Sequence, residues 1–526
     1  MSIFDRVALL RHQATVLRVK AWVALGFIFF SSGALGADYS DYWFCNSIED
    51  FLDSRPYYGN AKAETALLQW GKEQGIPGLQ REIIPEQRRQ GLDSVYKLII
   101  KKCLPDVVLP KDAPDAGVKV VVGEPNIVMF APEGRTSDQN GNRARLSHVA
   151  PTIPKEGRWG QYMFPSIYKL RNGQLLVRVS LGGDGYPRDY LYFLSEDGGK
   201  NWRNFASYDE RSKSPSERPA CEIALRLPDG EELRCPEPWL SKRIEIGGRN
   251  LKTYGGYYRL GDLPREMQSV PLLTRKPGEE KWTEEQAFWD PDVLVKDHDQ
   301  LPMPLTMHWL AENHVMRDGS LLSTVFKGLP VLSEIRPDGT RQERAHPIVR
   351  SYDRGRTWKV EGEIPASRLW PFSPVSTVRA HILEFPDGNW VATFRHPGIY
   401  WSGGGPLIIR KSSDQGKTWS APKAIRVPGV NPLGIMLQNG VAVFSYQRPG
   451  VFLTFCADGR GDLWGNDVTL VRAWKHERNQ NSCCNGCFLA TGPDRFVYVY
   501  TKWDVPDPWG QPRQAVIAQE FVVSKK

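Results

Sequence analysis

The sequence predicts an all-β protein built as a radial array of six small antiparallel sheets, preceded by a small helical region. Two repeated patterns lead to this prediction, and the first is a set of short hairpin turns. Each turn lies beside an apolar strand, at steps of roughly 50–90 residues: Asn172-Gly173, Asp229-Gly230, Asp318-Gly319, Asp387-Gly388, Asn439-Gly440 and, in weaker form, Pro493-Asp494. Such dipeptides favour tight hairpins, and six similar hairpins indicate a radial arrangement of sheets.

The second pattern is S-x-D-x-G-x-x-W, found at residues 195–202, 351–358 and 412–419. We expect its aspartate to accept backbone N–H groups across a tight turn, its glycine to adopt a positive φ, and its tryptophan to pack between strands. Two decayed copies occur at residues 276–282 and 458–464. We interpret the motif as structural and place it between the outer strands of a sheet. Its members are Ser195, Asp197, Gly199, Trp202, Ser351, Asp353, Gly355, Trp358, Ser412, Asp414, Gly416 and Trp419.

Composition excludes several classes of protein. With 526 residues, 41% of them hydrophobic and 24% charged, the chain is neither disordered nor a polytopic membrane protein. A net charge of +8, spread along the chain, is too weak for a nucleic-acid footprint. We find no nucleotide fingerprint, nucleophile elbow or metal-ligand ladder, so we expect no cofactor and no metal.

The N-terminus has the pattern of a secretory signal peptide. Four basic residues precede an apolar run at 21–30, and small residues follow at 31–37. We expect cleavage after Gly36 or Ala37, which would leave an extracytoplasmic protein, periplasmic or secreted, without a membrane anchor. The alternative is an uncleaved anchor, although the run is short for a bilayer span of about 20 residues.

Residues 37–117 differ from the rest of the chain. Apolar residues at three- and four-residue steps predict helices at 60–75 and 85–102, and a Pro/Gly/Asp linker follows at 111–117. We interpret this region as a cap or docking domain.

Eight cysteines suit an oxidising compartment. Cys45 and Cys103 bracket the helical region, Cys221 and Cys235 flank a hairpin turn, Cys456 stands alone, and Cys483, Cys484 and Cys487 cluster. Structural disulfides are the prediction for most of them, with the pairing left open. Zinc at Cys484 and Cys487 is disfavoured because no second ligand pair lies nearby.

The S-x-D-x-G-x-x-W repeats resemble the Asp boxes, or bacterial neuraminidase repeats, of the sialidase superfamily. The resemblance covers residues 118–526 and implies a six-bladed β-propeller of sialidase type, with four antiparallel strands in each blade. It also implies that residues 118–129 complete the last blade. Asp boxes occur in hydrolases, lyases and non-enzymatic propellers alike, so they indicate the fold more firmly than the function.

The catalytic pattern of this family is only partly present. The family uses three arginines to clamp a carboxylate, a tyrosine paired with a glutamate, and an aspartate as acid/base. Counted from the hairpin turns, Arg395 matches one arginine and Arg448 matches a second loosely, while Asp184 or Asp189 falls where the aspartate belongs. Met163, Arg379 and Gly486 stand where the family has the first arginine, the glutamate and the tyrosine. We therefore do not expect ordinary sialidase chemistry.

A basic cluster is predicted in its place. Arg379, His381, Arg395 and His396 fall on adjacent strands of one blade, with Tyr446 and Arg448 at the matching position of the next and Lys327 near the same offset in the third blade. Regular strand alternation would put Arg379 and His381 on one face. Such a cluster suits β-elimination on a uronate, in which Arg or His neutralises the carboxylate and Tyr or His removes the C5 proton. The alternative is a solvated basic rim or a set of structural ion pairs.

Three functions remain open from the sequence. The leading hypothesis is an exported glycan-degrading enzyme, a glycoside hydrolase or polysaccharide lyase, that acts on an acidic, carboxylated glycan. In this hypothesis Asp184, Arg379, His381, Arg395 and Tyr446 are catalytic, and Arg395, Arg448 and His396 bind substrate. The second is a hydrolase of a neutral sugar that pairs Asp184 or Asp189 with Glu384. The third is a non-catalytic propeller that binds glycan or protein. The sequence leaves the oligomeric state open.

Overall fold

The computed structural model describes most of the residues predicted to form the propeller and little of the chain before them. The described residues are 69, 73, 107–108, 112–130, 164–181, 189–208, 224–234, 242–247, 251–254, 256–301, 305, 314–324, 333–335, 341–343, 346–365, 378–395, 406–426, 429–447, 450–471, 486–510 and 512–526. The predicted signal peptide and nearly all of the predicted helical region lie outside them. Gln69 and Glu73, both helical, are joined by a 2.8 Å hydrogen bond from Gln69 Nε2.

The described residues form thirty β-strands. In chain order they are β1 (Val118–Phe130), β2 (Phe164–Lys169), β3 (Leu175–Leu181), β4 (Asp189–Ser195), β5 (Arg203–Tyr208), β6 (Leu225–Arg226), β7 (Glu232–Arg234), β8 (Lys242–Arg243), β9 (Tyr258–Arg259), β10 (Ser269–Arg275), β11 (Thr283–Trp289), β12 (Leu294–Val295), β13 (Gln300–Leu301), β14 (His314–Val315), β15 (Leu321–Thr324), β16 (Ser333–Ile335), β17 (Arg341–Glu343), β18 (Pro347–Ser351), β19 (Thr357–Glu363), β20 (Val378–Glu384), β21 (Trp390–Arg395), β22 (Leu407–Ser412), β23 (Lys423–Arg426), β24 (Val430–Met436), β25 (Ala442–Gln447), β26 (Val451–Cys456), β27 (Gly465–Val471), β28 (Cys487–Gly492), β29 (Arg495–Pro506) and β30 (Pro512–Lys525). Two short 3-10 helices, Leu260–Asp262 and Arg265–Met267, precede β10.

Most of these strands form four-stranded antiparallel units. We number the units blades 1 to 6 within the described part of the chain: β2-β3-β4-β5, β6-β7-β10-β11, β14-β15-β18-β19, β20-β21-β22-β23, β24-β25-β26-β27 and β28-β29-β30-β1. Blades 2 and 3 join at their outer strands through a short parallel contact between β11 and β19. The remaining short strands form two further small sheets, β9-β12-β16-β17 and β8-β13.

Apolar clusters between consecutive blades close the units into a ring. Separate cores join blade 2 to 3, 3 to 4, 4 to 5, and 5 to 6. A fifth core brings Val497 and Val499 of blade 6 against Val177 and Val179 of blade 1. Because the last blade packs on the first, the array is closed, and the predicted all-β propeller is confirmed.

The closure uses the two ends of the propeller sequence. Strand β1 pairs with β30 from Val118 opposite Lys525 to Phe130 opposite Ala515. An ion pair of 2.6 Å between Asp115 and Lys526 fastens the junction. The prediction that residues 118–129 complete the last blade is therefore confirmed.

The hairpin turns join the first and second strands of each blade. In blade 1, Gly173 N–H donates to the Leu170 carbonyl and Leu170 N–H to that of Gln174, with Gly173 at φ +87°. The Asn172 side chain accepts the N–H of Gln174, and the aspartate or asparagine of the next four turns does the same two residues ahead. The glycine alone has a positive φ, so the turn combines a type I turn with a glycine bulge.

Each S-x-D-x-G-x-x-W motif lies between the third and fourth strands of its blade, as predicted. In the first copy, Asp197 Oδ1 accepts the N–H groups of Lys200 and Asn201, and Ser195 Oγ accepts that of Gly199 at 2.8 Å. Trp202 Nε1 then donates to the Gly199 carbonyl at 3.0 Å. The copies at 351–358 and 412–419 repeat the serine and tryptophan hydrogen bonds, and their aspartates accept the N–H of the fourth residue ahead, Thr357 and Thr418.

The decayed copy at 458–464 keeps the same turn with one additional residue. Asp458 accepts four backbone N–H groups, Trp464 Nε1 donates to the Gly461 carbonyl, and the Cys456 thiol replaces the serine hydroxyl beside Asp458.

The decayed copy in blade 2 lacks the serine and aspartate side chains that accept backbone N–H groups in the full copies. Where blades 1, 3, 4 and 5 have serine or cysteine at the end of the third strand, blade 2 has Arg275, paired across the sheet with Glu232. The two side chains form a buried ion pair at 2.7 Å, and the Arg275 guanidinium lies 4.4 Å from the ring centre of Trp282.

The cysteines that the structure describes form no disulfide. Cys456 is a buried free thiol, and burial raises its pKa well above the ordinary range. Cys487 is buried, with its Sγ 3.7 Å from the Phe488 carbonyl. The expectation of disulfides therefore has no support among these residues, and the other six cysteines lie outside them. At position 456 the reason is local, because the thiol fills the serine site of a turn and contacts Asp458.

Replacing Asp353 by alanine should lower the free energy of unfolding by about 1–2 kcal/mol, since the turn loses hydrogen bonds from Ser351 and Thr357. Asp462→Ala is the matched control, because the exposed Asp462 side chain pairs with Lys411 and its backbone N–H bond to Asp458 survives the substitution, so the loss should be about 0.5 kcal/mol or less. Denaturant titration measures both variants. Equal losses would contradict a special role for the motif aspartate.

Stability should also depend on Asp414 ionisation. Hydrogen bonds from the Thr418 hydroxyl, the Thr418 N–H and Ser412 lower the pKa of Asp414 to about 2. Because its folded pKa lies below its ordinary value of about 3.9, the carboxylate stabilises the fold above that pH and loses its effect as the pH falls to about 2. Asp414→Ala should therefore have a lower Tm than wild type near neutrality, and the gap should narrow over that acid range. A difference in Tm between wild type and Asp414→Ala that does not change with pH would contradict the lowered pKa of Asp414.

Candidate functional site

The two ends of the blades differ in construction. The hairpin turns and the Asp-box motifs share one end, which we call the box pole. The connections between second and third strands, and those from one blade to the next, share the other end, which we call the loop pole. The two additional small sheets are built from segments inserted at the loop pole of blades 2 and 3.

Two predicted arginines meet at the loop pole of blade 4. Val378, at the start of β20, pairs with Arg395, at the end of β21. The next pair is Ala380 with Phe394, so Arg379 is an extra residue in a β-bulge. The main chains of Arg379 and Arg395 therefore lie side by side on adjacent strands.

The same bulge changes the expected position of His381. Regular alternation does not run through a bulge, so the prediction that Arg379 and His381 share a face loses its basis. His381 is buried, at 1% exposure, and lies two residues before Leu383, which packs against Phe444 of blade 5. We infer that His381 faces the interface between blades 4 and 5.

Tyr446 lies in the same interface and is engaged by structural partners. Its ring stacks on Phe452 with centroids 5.1 Å apart, and its hydroxyl donates to Asp467 Oδ2 at 2.5 Å. Arg426 of blade 4 donates to both oxygens of Asp467, at 2.7 and 2.9 Å. Burial lowers the pKa of Arg426, but the bonds to Asp467 outweigh this and raise it overall. The triad fastens blade 4 to blade 5 and gives Tyr446 a structural role.

The predicted carboxylates fall at different poles. Asp189 begins β4 and pairs with Leu181, at the loop pole of blade 1. Glu384 ends β20 at the box pole, where its Oε2 accepts the Arg317 N–H at 2.9 Å. Since five residues of strand separate Glu384 from Arg379, about 17 Å lies between them along β20. This placement excludes the pairing of Glu384 with Asp189 that a neutral-sugar hydrolase would need. Five further residues from the sequence analysis lie outside the described part of the chain: Asp184, Arg448, His396, Met163 and Lys327.

Sequence reasoning missed a tyrosine at the loop pole of blade 6. Gly486 immediately precedes the innermost strand β28, and a Cβ there would overlap the hydroxyl oxygen of Tyr498. The phenol thus fills the space beside Gly486. Counting from the Pro493-Asp494 turn, which pairs Phe488 with Tyr498, could have found it.

The surroundings of Tyr498 are polar on the side of blade 5. Burial raises the pKa of Tyr498, and the hydroxyl of Ser445 offsets the rise only in part. Gln447 lies two residues beyond Ser445 on the same face of β25, at the loop pole. Its side chain is fully buried, and neither amide atom has a hydrogen-bond partner. Such groups are rare in proteins and cost about 1–3 kcal/mol each. This polar cluster could hydrogen-bond a ligand hydroxyl, and we add Tyr498, Ser445 and Gln447 to the candidate site.

Two further searches of the described residues were negative. They contain no group of three or more His, Cys, Asp or Glu side chains that could hold a metal ion. No helical segment among them has the length and apolar character needed to cross a membrane.

No protein-family model matches the sequence, and no curated protein matches it. Solved structures similar to the chain include a protein of unknown function from Dyadobacter fermentans, with 17% identity, a TM-score of 0.47 and coverage of 78% of this chain and 100% of that chain. A sialidase from Streptococcus pneumoniae has 13% identity and a TM-score of 0.40 over 70% of this chain and 68% of that chain. An α-L-arabinanase from Penicillium chrysogenum has 13% identity and a TM-score of 0.37 over 76% and 98%.

Gly486→Ala should destabilise the protein by about 1–3 kcal/mol, because the new methyl group overlaps the outer ring atoms and oxygen of Tyr498. In a Tyr498→Leu background the same substitution should cost clearly less, since leucine ends short of those atoms. Denaturant unfolding of the four proteins gives the coupling energy. Additive losses would show that the phenol does not occupy this space.

Proposed function

We propose that this protein is an exported carbohydrate-active protein that binds a carboxylated glycan at the loop pole and degrades it by chemistry other than that of an ordinary sialidase. The observation that carries the proposal is the pairing of Val378 with Arg395, which brings the main chains of Arg379 and Arg395 together. A guanidinium makes two parallel hydrogen bonds to a carboxylate, so two neighbouring arginines suit a glycan with one carboxylate on a sugar.

The polar cluster of blades 5 and 6 supports the same pole as the site. A sugar presents hydroxyl groups that both donate and accept hydrogen bonds. The buried amide of Gln447 can satisfy either role, and the Ser445 and Tyr498 hydroxyls lie on the same interface. Together with the arginine pair, these groups suit a ligand that is both charged and rich in hydroxyls.

β-Elimination is the degradative chemistry we propose. A base removes the proton at C5 of a uronate, the C4–O bond breaks as a C4–C5 double bond forms, and a proton returns to the leaving oxygen. Carboxylate neutralisation by Arg379 and Arg395 would acidify the C5 proton. This assignment needs neither a tyrosine at position 486 nor a free hydroxyl at Tyr446.

Glycan binding without turnover is the second candidate function. The hydrogen bond from Tyr446 to Asp467 favours it, because that bond occupies one of the predicted bases in a structural role. The two candidates share the binding site and differ only in whether product appears.

Arg395→Ala should weaken binding of hexagalacturonate or sialyllactose by roughly 10- to 150-fold, which corresponds to the loss of a charge-assisted pair worth about 1.5–3 kcal/mol. Arg395→Lys should recover part of the affinity, since an ammonium cannot make the forked contact. Arg203→Ala is the matched control, because Arg203 is 58% exposed at the box pole and pairs only with Glu196. Calorimetry on the full chain measures all four proteins.

Product analysis then separates the candidates. Elimination gives a product with the ultraviolet absorbance of an unsaturated uronate, hydrolysis gives new reducing ends without it, and binding alone gives neither. Rapid release of sialic acid would overturn the proposed departure from sialidase chemistry. Unchanged affinity in Arg395→Ala would overturn the arginine site.

A further inference from the structure

The hairpin of β29 and β30 extends past the rest of blade 6 at the loop pole. Its two strands stay paired up to Pro506 opposite Pro512. By contrast, β28 begins opposite Val499 and β1 ends opposite Ala515, the partner of Lys502. Beyond Lys502, none of the described strands pairs with the hairpin. The extension has four residues on β29 and three on β30, which corresponds to about 10 Å, so the hairpin projects above the level at which the main chains of Arg379 and Arg395 lie.

The tip of this hairpin is held in one conformation. Asp507 accepts the Trp509 N–H on Oδ1 at 2.9 Å, and its carbonyl accepts the Gly510 N–H at 2.8 Å. Gly510 closes the turn at φ +75°. Prolines at positions 506, 508 and 512 fix three further φ angles. The base of the tip is anchored, because Val505 and Asp507 are buried.

This rigid tip carries an exposed tryptophan. Trp509 is 73% exposed, more than the other large hydrophobic residues exposed in the described part of the chain. An indole in water lacks the stabilisation that burial of an aromatic side chain normally provides. Its place on an ordered turn therefore indicates a contact outside the fold. A single flat ring is too small for a protein interface, which needs a patch of about 800 Å² per partner. It matches the size of one sugar ring.

We propose that Trp509 is a carbohydrate subsite, on which one sugar ring of a longer glycan stacks while another ring is held by the arginine pair. This inference rests on the proposed function. The apolar C–H face of a pyranose fits the electron-rich face of an indole. Because the turn is already ordered, stacking costs little conformational entropy. The tip lies farther above the sheet ends than one sugar ring can bridge, so the subsite contributes only to oligosaccharides.

The test compares Trp509→Ala, Trp509→Phe and Leu463→Ala in the full chain. Leu463 is a matched control, since it is 43% exposed and lies in the Asp-box turn of blade 5 at the opposite pole. The probes are hexagalacturonate, digalacturonate and the neutral xylohexaose, with affinity measured by calorimetry and folding checked by Tm.

We expect Trp509→Ala to weaken hexagalacturonate binding roughly tenfold and to leave digalacturonate binding unchanged. Trp509→Phe should retain most of the affinity, Leu463→Ala all of it, and no variant should shift the Tm. Arg395→Ala should weaken the binding of both acidic probes.

Equal hexagalacturonate affinity in wild type and Trp509→Ala overturns the subsite and leaves the arginine site standing. Wild type that binds only xylohexaose, through Trp509, overturns the acidic specificity and keeps the subsite. Wild type that binds no probe overturns both.

Discussion

The Asp-box turn is the interaction on which the ring depends, because the same few residues close one blade and contact the blade before it. In the three full copies and in the decayed copy of blade 5 the motif glycine has a positive φ, and a Cβ there would meet side chains of the preceding blade. Gly199 lies against Val497 of blade 6, Gly416 against Ile348 of blade 3, and Gly461 against Val391 of blade 4. The aspartate fixes the turn by accepting backbone N–H groups, and the turn fixes the spacing between blades. A local hydrogen-bond pattern thereby sets the closure of the whole propeller.

Blade 2 shows what replaces the turn when its serine and aspartate are missing. Glu232 is almost fully buried and accepts hydrogen bonds from Arg171, Arg226 and Arg275. A buried carboxylate is costly to desolvate and is tolerated only when its hydrogen bonds are complete. Because Arg171 belongs to the hairpin turn of blade 1 and also donates to two carbonyls next to the decayed motif, the cluster joins blade 1 to blade 2. The decayed copy thus keeps the inter-blade contact by electrostatic means.

The sequence predicts the box pole better than the loop pole, and the reason is register. Turns and motifs have short, local signatures, so the hairpins and the motif turns followed from the residues, whereas the closing strand β1 was implied by the family resemblance. Positions at the loop pole were counted from the turns along whole strands, and bulges in β20 and β24 shift that count. Arg379 is such a bulged residue. The structural partner of Tyr446 could not be foreseen either, since Asp467 lies on the outer strand and Arg426 on another blade. Tyr498 reaches Gly486 from the neighbouring strand, and counting from the Pro493-Asp494 turn could have found this contact.

The loop pole carries two features that the fold itself does not use, a buried amide without a partner and an exposed indole. At the box pole the motif aspartates accept backbone N–H groups of their turns, and hydrogen bonds outweigh burial and lower the pKa values of Asp197, Asp353, Asp414 and Asp458. At the loop pole the amide of Gln447 is buried without a partner, and the indole of Trp509 is exposed. Each feature costs the folded state about 1–3 kcal/mol, a sum that a few motif turns can offset. Residues that weaken a fold persist where they serve binding. The ring held at the box pole therefore gives the loop pole the stability it needs to keep these unpaired polar and aromatic groups.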